Sequence, residues 1–145
     1  MDILQIIKTG EGEIDTMSYG MFNNRSYHGM SSKILKSAIC KYYRRGLYDK
    51  FEWSCIEMML FGIKSNGLVS NLCNRLKILV MEEICCHDAN LVVAIKILNS
   101  ITRETPLIEK IAKVKLFCVS VKNCKRGRIC SYVNNWWKFN KINFP

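Results

Sequence analysis

The fold depends on the segment Asn74-Arg75-Leu76-Lys77-Ile78-Leu79-Val80-Met81-Glu82-Glu83-Ile84-Cys85-Cys86-His87-Asp88-Ala89-Asn90-Leu91. Leu76, Leu79 and Val80 recur at helical spacing and predict one apolar stripe on a helix. Glu82 and Glu83 stand where this helix ends, although a helix C-terminus favours cations. We therefore expect one of the two acids to be tied to a neighbouring helix or basic group. A solvated pair of acids is the alternative.

Helical patterns of similar length lie on both sides of this stretch. Only two prolines occur in 145 residues, so little interrupts a helix. Paired antiparallel helices of this length predict an all-α fold, a compact bundle of about five to six helices. We place an irregular N-terminal arm at 1–30, the helical domain at 31–138 and a short tail at 139–145.

The first two helices carry clear boundary signals. Ser31 or Ser32 is the expected N-cap of the first, and Arg44-Arg45-Gly46 is its expected end. Asp49 is the expected cap of the second. The apolar side chains of this second helix cover so much of its circumference that it lies centrally or faces another subunit. They are Trp53, Cys55, Ile56, Met58, Met59, Leu60 and Ile63.

The later helices are predicted from the same signals. Asp88 can cap the fourth, and Thr105 followed by Pro106 predicts the start of the fifth. A last helix is expected around Trp136 and Trp137. In the fifth helix we predict an inward face of Ile108, Ile111, Ala112, Leu116 and Val119 and an outward face of Lys110, Lys113 and Lys115.

The charge is strongly asymmetric along the chain. The net charge is +10, and after Glu109 nine cations follow without a single acid. This asymmetry predicts an anionic partner, with nucleic acid ahead of an acidic protein or a negative membrane surface. The expected phosphate contacts are the C-terminal basic cluster and one helix end: Lys122, Lys125, Arg126, Arg128, Arg44 and Arg45. We call the segment Lys125-Arg126-Gly127-Arg128 the basic turn.

Alternatives remain for these residues. Arg44 and Arg45 also suit plain capping of a helix C-terminus, and the basic turn also suits a solvated loop. Trp136 and Trp137 could stack on bases, although their helical spacing favours a core position for one of them.

Signatures of catalysis and metal binding are missing from the sequence. It contains no G-x-x-x-x-G-K-[ST] phosphate loop and no G-x-S-x-G elbow. Cys85, Cys86 and His87 do not have the spacing of a zinc knuckle. We expect no enzyme activity, metal, cofactor or small-molecule substrate. The eight cysteines are interpreted as reduced thiols, mostly buried, and the protein as intracellular, either cytoplasmic or nuclear.

A family resemblance is carried by several of these segments in order. Arg75-Leu76, Glu82-Glu83-Ile84 and Asp88-Ala89 resemble Arg-Leu, Glu-Asp-Ile and Ala-Asp elements of the replication-associated recombination protein A family. Leu35 to Ile39 with Arg44-Arg45-Gly46 is similar to an upstream segment of its C-terminal helical region. The family comprises clamp-loader-like AAA+ ATPases and includes the Werner-helicase-interacting protein. The resemblance spans about 31–137 and includes short stand-alone versions of the region in large DNA viruses.

The resemblance implies a motorless helical domain that forms a homo-oligomer, a dimer or tetramer, and associates with DNA. It implies a role in viral DNA replication, recombination or packaging, in a viral factory or a virion. For self-association we expect Trp53, Met58, Met59, Trp137 and Phe139 to contribute, with Arg75, Glu82 and Glu83 as structural polar residues. The alternative function is a structural or host-protein-binding module whose basic face meets an acidic partner, with no membrane involved.

Overall fold

Five α-helices make up the part of the chain that the computed structural model describes, which is residues 25–61, 66–84, 88–125 and 127. The predicted all-α class is confirmed. The first part of the N-terminal arm, the predicted last helix and the tail lie outside the described residues. The helices are α1 (Ser32–Arg44), α2 (Tyr48–Leu60), α3 (Asn66–Glu83), α4 (Asn90–Asn99) and α5 (Leu107–Lys122).

Helix α1 begins and ends as its sequence predicts. The Ser31 hydroxyl accepts a backbone N–H of the first turn, so Ser31 is the N-cap. At the other end Gly46 has φ of 71°, a left-handed conformation that glycine adopts without strain. The Gly46 N–H donates to the Tyr43 carbonyl and the Leu47 N–H to the Tyr42 carbonyl. These two bonds form a Schellman motif, which satisfies the last carbonyls of the helix.

Helix α2 is the central helix of the bundle and packs against α1, α5 and α3. Eight of its thirteen residues are buried, which confirms the prediction of a helix covered on several sides. Met58 and Met59 are fully buried in the core. This corrects their assignment to an oligomer interface, because their side chains are used by the subunit's own packing.

The predicted caps of α2 and α5 are wrong by one or two residues. Helix α2 starts at Tyr48 with Leu47 as its N-cap residue, because the chain turns tightly after Gly46. Asp49 therefore lies in the first turn, where its charge still complements the helix dipole. Helix α5 has Pro106 at its N-cap. The Thr105 hydroxyl accepts the Thr102 N–H at 3.0 Å instead of capping the helix.

The inward face of α5 differs most from the prediction. The residues that face the core are Lys110, Ile111, Val114, Phe117, Cys118 and Val121. Except for Ile111, the predicted inward residues Ile108, Ala112, Leu116 and Val119 are exposed, and we call these four the apolar stripe of α5. The predicted outward residue Lys110 is only 4 % exposed. Helix α5 has apolar residues on opposite sides, so periodicity alone does not decide which side packs inward.

The segment before α1 is fastened to α2 by a buried carboxylate. Glu57 accepts the backbone N–H of His28 at 2.7 Å through Oε1, and its Oε2 lies 2.8 Å from His28 Nδ1. A left-handed Gly29 turns the chain, and an isolated antiparallel bridge joins Arg25 to Ser31. A buried charge is costly unless it is hydrogen-bonded, so Glu57 fixes the position of this segment.

The cysteines and the helix lengths give two further observations. Five cysteines within the described residues are free thiols, and four of them are buried, as predicted. They are Cys40, Cys55, Cys73, Cys118 and Cys124. Across the described helices, no stretch combines the length and hydrophobicity that crossing a bilayer requires.

Matched valine substitutions on α5 test its orientation. Val114 is fully buried and Val119 is 55 % exposed. We expect Val114→Ala to lower the free energy of unfolding by about 2 kcal/mol, because it removes buried methyl groups and leaves a cavity. Val119→Ala should change it by less than about 0.5 kcal/mol. Urea denaturation measures both, and the reverse order would mean that α5 is rotated.

Candidate functional site

A buried carboxylate at the end of α3 holds the end of α1. The side chain of Glu83 is 1 % exposed, and its Oε1 accepts a hydrogen bond from Arg44 Nε at 2.6 Å. Glu82 lies at the solvent side of the same guanidinium, 3.9 Å from Arg44 Nη2. The bond to Glu83 raises the pKa of Arg44 above its ordinary value. The expectation that one of the two acids is tied to a neighbouring basic group is confirmed for Glu83.

The start of the basic turn is attached to the same end of α3. The Gly127 N–H donates to the Glu83 carbonyl at 2.9 Å. The Lys125 N–H donates to Asp88 Oδ2 at 2.6 Å, while Asp88 Oδ1 accepts the Asn90 N–H at 2.9 Å. The N-cap of α4 is Ala89 rather than the predicted Asp88. The Asp88 carboxylate nevertheless binds the first residue of α4 and also holds the chain after α5.

These contacts change the acid–base properties of their groups. The backbone N–H of Lys125, and then that of Asn90, lower the pKa of Asp88 below its ordinary value. Burial, with a smaller effect from the Asp88 charge, raises the pKa of the Cys124 thiol to about 11. The Asp88 carboxylate therefore remains charged, and Cys124 remains a thiol, across the neutral range.

A cleft of about 930 Å³ runs between α1 and α3 and reaches the Arg44–Glu82 contact. Helix α1 contributes Lys33, Lys36, Ser37, Cys40, Lys41 and Arg44, and α3 contributes Asn71, Asn74, Arg75, Ile78, Leu79 and Glu82. We call this cleft the basic groove. Because Lys33 and Arg44 are eleven positions apart on one helix, the groove extends over about 16 Å.

The charge of the basic groove is strongly one-sided. Five of its described lining residues are cations, and Glu82 is the one acid among them. Arg44 is paired with Glu83, so four cations stand beside that ion pair: Lys33, Lys36, Lys41 and Arg75. Ser37, Asn71 and Asn74 add neutral hydrogen-bonding groups. A cleft with this composition suits an anionic ligand with repeated charges.

The structure brings some of the predicted contact residues together and separates others. Arg44 and the start of the basic turn meet at Glu83, although they are far apart in sequence. Arg45 is exposed at the end of α1, and Lys122 is exposed in the last turn of α5. The side chains of Arg126 and Arg128 lie outside the described residues. Arg75, predicted as a structural residue, is exposed and lines the groove.

Sequence reasoning missed Lys33, Lys36 and Lys41 as members of the site. A signal was present, because these lysines and Arg44 recur at intervals of three to five residues on α1. Such spacing places cations on one face of a helix. The apolar face of the same helix gives the stronger periodic signal, and only packing shows that Arg75 of α3 lies across from that cationic face.

Residues assigned to self-association have different surroundings. Trp53 is 44 % exposed on α2, with its ring centroid 5.7 Å from that of His28. Trp137 and Phe139 lie outside the described residues. Large apolar side chains are also exposed on α4 and α5: Val92, Val93, Ile108, Leu116 and Val119.

Among the described side chains, no group of three His, Cys, Asp or Glu residues could hold a metal ion. Cys85, Cys86 and His87 are outside this set.

No protein-family model, curated protein or solved structure matches this chain. The resemblance to the recombination ATPases therefore rests on the segments quoted above, and the site is interpreted from its own geometry.

A pH titration tests the attachment of the basic turn. Because its folded pKa is lowered, Asp88 should keep its bonds as the pH falls through 3.8, the ordinary value, and lose them only below it. NMR should show the Lys125 amide resonance following this titration. In Asp88→Ala the resonance should lose that pH dependence, and a midpoint at or above 3.8 would contradict the attachment.

Proposed function

We propose that this is a non-catalytic, self-associating helical protein that binds the backbone of nucleic acid through the basic groove and the adjoining basic turn. The observation that carries the proposal is the row of cations between α1 and α3 with a single acid among the described lining residues. The C-terminal charge asymmetry of the sequence adds a second source of cations at one end of this row.

The dimensions of the groove fit a phosphate backbone. A strand of duplex DNA carries one phosphate per about 3.4 Å of helix axis, so about 16 Å of groove passes about five phosphates. Four groove cations line that path. Lys125, whose backbone N–H binds Asp88 just beyond the end of α3, is the expected fifth. Such contacts neutralise phosphates and displace counterions without reading bases, which favours binding that is independent of sequence.

Functional context comes from the family resemblance. A stand-alone relative of the recombination ATPases would assemble with itself and act on DNA in viral replication, recombination or packaging. The groove supports the nucleic-acid part of this proposal. An acidic protein as the partner of the same face is the alternative, and the binding experiment below separates the two.

Self-association is supported by the apolar stripe of α5. Ile108, Ala112, Leu116 and Val119 lie on the side of the helix opposite its buried face. A straight apolar stripe on one helix is self-complementary about a two-fold axis, which is the geometry of most homodimers. We propose that a second copy of the chain covers it, leaving the basic groove of each copy accessible.

Salt-dependent binding tests the groove. For the unaltered protein on duplex DNA we expect log affinity to fall with log salt at a slope of about −4.5, for about five neutralised phosphates. Lys41→Gln with Arg75→Gln should reduce the slope to about −2.7 and weaken binding on the order of 50-fold at 0.1 M salt. Fluorescence anisotropy with labelled DNA at several salt concentrations gives both numbers.

A control variant with the same net charge as Lys41→Gln/Arg75→Gln is available on α4 and α5. Lys96→Gln with Lys115→Gln removes two exposed cations from α4 and α5, and both slope and affinity should stay close to the original. An affinity that does not depend on salt would contradict the groove as the binding site. Undetectable DNA binding, with an acidic peptide bound by the original protein and lost in Lys41→Gln/Arg75→Gln, would establish the alternative.

A single exposed leucine tests self-association. Leu116→Gln should raise the dimer dissociation constant on the order of 100-fold, because each copy loses one buried side chain. Ile34→Gln, at an equally exposed position on α1, should leave the constant unchanged. Sedimentation equilibrium over a range of concentrations measures it. An original protein that stays monomeric throughout would refute this part of the proposal.

A further inference from the structure

A second cavity lies on the other flank of α3, away from α1. Its volume is about 120 Å³, well below the range of cavities that enclose organic ligands. Helix α3, the segment after α4 and the start of α5 form its walls. The lining residues are Val69, Ser70, Cys73, Asn74, Lys77, Leu98, Ile101, Thr102, Arg103 and Lys110.

Three cations from three separate parts of the chain converge on this small cavity. Lys77 comes from α3, Arg103 from the segment between α4 and α5, and Lys110 from the first turn of α5. None of the described lining residues is an acid. Neutral side chains that can donate hydrogen bonds, among them Ser70 and Asn74, stand in the same wall.

Lys110, in the first turn of α5, is an unusual residue for a core-facing position. Lys110 is 4 % exposed, and lysine is rarely buried to this degree. Burial raises the pKa of the neighbouring Cys73 thiol, and the positive charges of Lys77 and Lys110 oppose this shift to a smaller extent. Lys77 and Lys110 therefore both lie near Cys73 in the wall of this cavity.

We propose that this cavity binds a single phosphate group, supplied either by the end of a nucleic-acid strand or by free inorganic phosphate. A guanidinium and two ammonium groups provide several charge-assisted donors, which suits the oxygens of one phosphate. The partial burial strengthens each of these interactions relative to open solvent. The volume leaves no room for a nucleoside to enter with it.

The position of the cavity connects it to the basic groove. Asn74 of α3 lines both. A strand that follows the groove toward Asn74 would bring its terminal phosphate to the mouth of the small cavity. The strand as the source of the phosphate rests on the proposed function, whereas binding of free phosphate does not.

The test uses two probes on the full chain. The first is inorganic phosphate, compared with chloride at equal ionic strength, in a thermal unfolding experiment. At ten times its dissociation constant, phosphate should raise the Tm by about 4 °C. The second is a single-stranded oligonucleotide with a 5′-phosphate, compared with the same oligonucleotide ending in a hydroxyl. We expect the phosphorylated form to bind at least fivefold more tightly.

Substitutions at the rim of the cavity leave the buried lysine in place. Lys77→Gln with Arg103→Gln should abolish both the Tm shift and the preference for the phosphorylated end. The groove variant Lys41→Gln/Arg75→Gln should keep the Tm shift while weakening binding of both oligonucleotides. The α4–α5 control variant should keep both effects.

Each outcome either supports or overturns the cavity as a phosphate site. A Tm shift that depends on the rim residues, without any preference for the phosphorylated oligonucleotide, supports the cavity and assigns it to free phosphate. DNA binding that persists without a Tm shift and without an end preference overturns the cavity while leaving the proposed function intact. A phosphate effect that survives Lys77→Gln/Arg103→Gln also overturns it.

Discussion

The buried carboxylate of Glu83 is the constraint on which the described structure depends. A charge removed from water must be paired, and Arg44 supplies the pairing at 2.6 Å from the end of another helix. The backbone of the same residue accepts the Gly127 N–H. One position at the end of α3 therefore fixes α1 on one side and the chain beyond α5 on the other. Without the Arg44–Glu83 ion pair, the cationic face of α1 would lose its attachment to α3. Without the Gly127–Glu83 backbone bond, the basic turn would lose its attachment to the end of α3.

This constraint explains why the cations of α1 and α3 line one groove. Lysines of α1 and an arginine of α3 repel one another, and the Arg44–Glu83 pair holds the two helices side by side in spite of that repulsion. An anion bound between them would remove the repulsion. Under the proposed function, a ligand that carries several negative charges in a row relieves this repulsion most.

Much of this arrangement could be predicted from local patterns, and the remainder depended on packing. The cap at Ser31, the left-handed Gly46 and the wide apolar surface of α2 are local features, and the structure agrees with them. The need of Glu83 for a partner was predictable from its position at a helix end, but the identity of Arg44 was not. The predicted inward face of α5 was wrong because the helix has two apolar sides, and neither periodicity nor charge distinguishes them. Lys110 is buried on one side, while Leu116 is exposed on the other.

The most direct test of a single cationic surface is an NMR titration of the protein with a short DNA duplex, read out by backbone amide shifts. We expect the amides of 33–44 on α1, 71–82 on α3 and 125–127 to shift together, with one common dissociation constant. The amides of α4 should stay unchanged. Shifts confined to α4 and the outer side of α5, with those of α1 and α3 unmoved, would contradict this expectation.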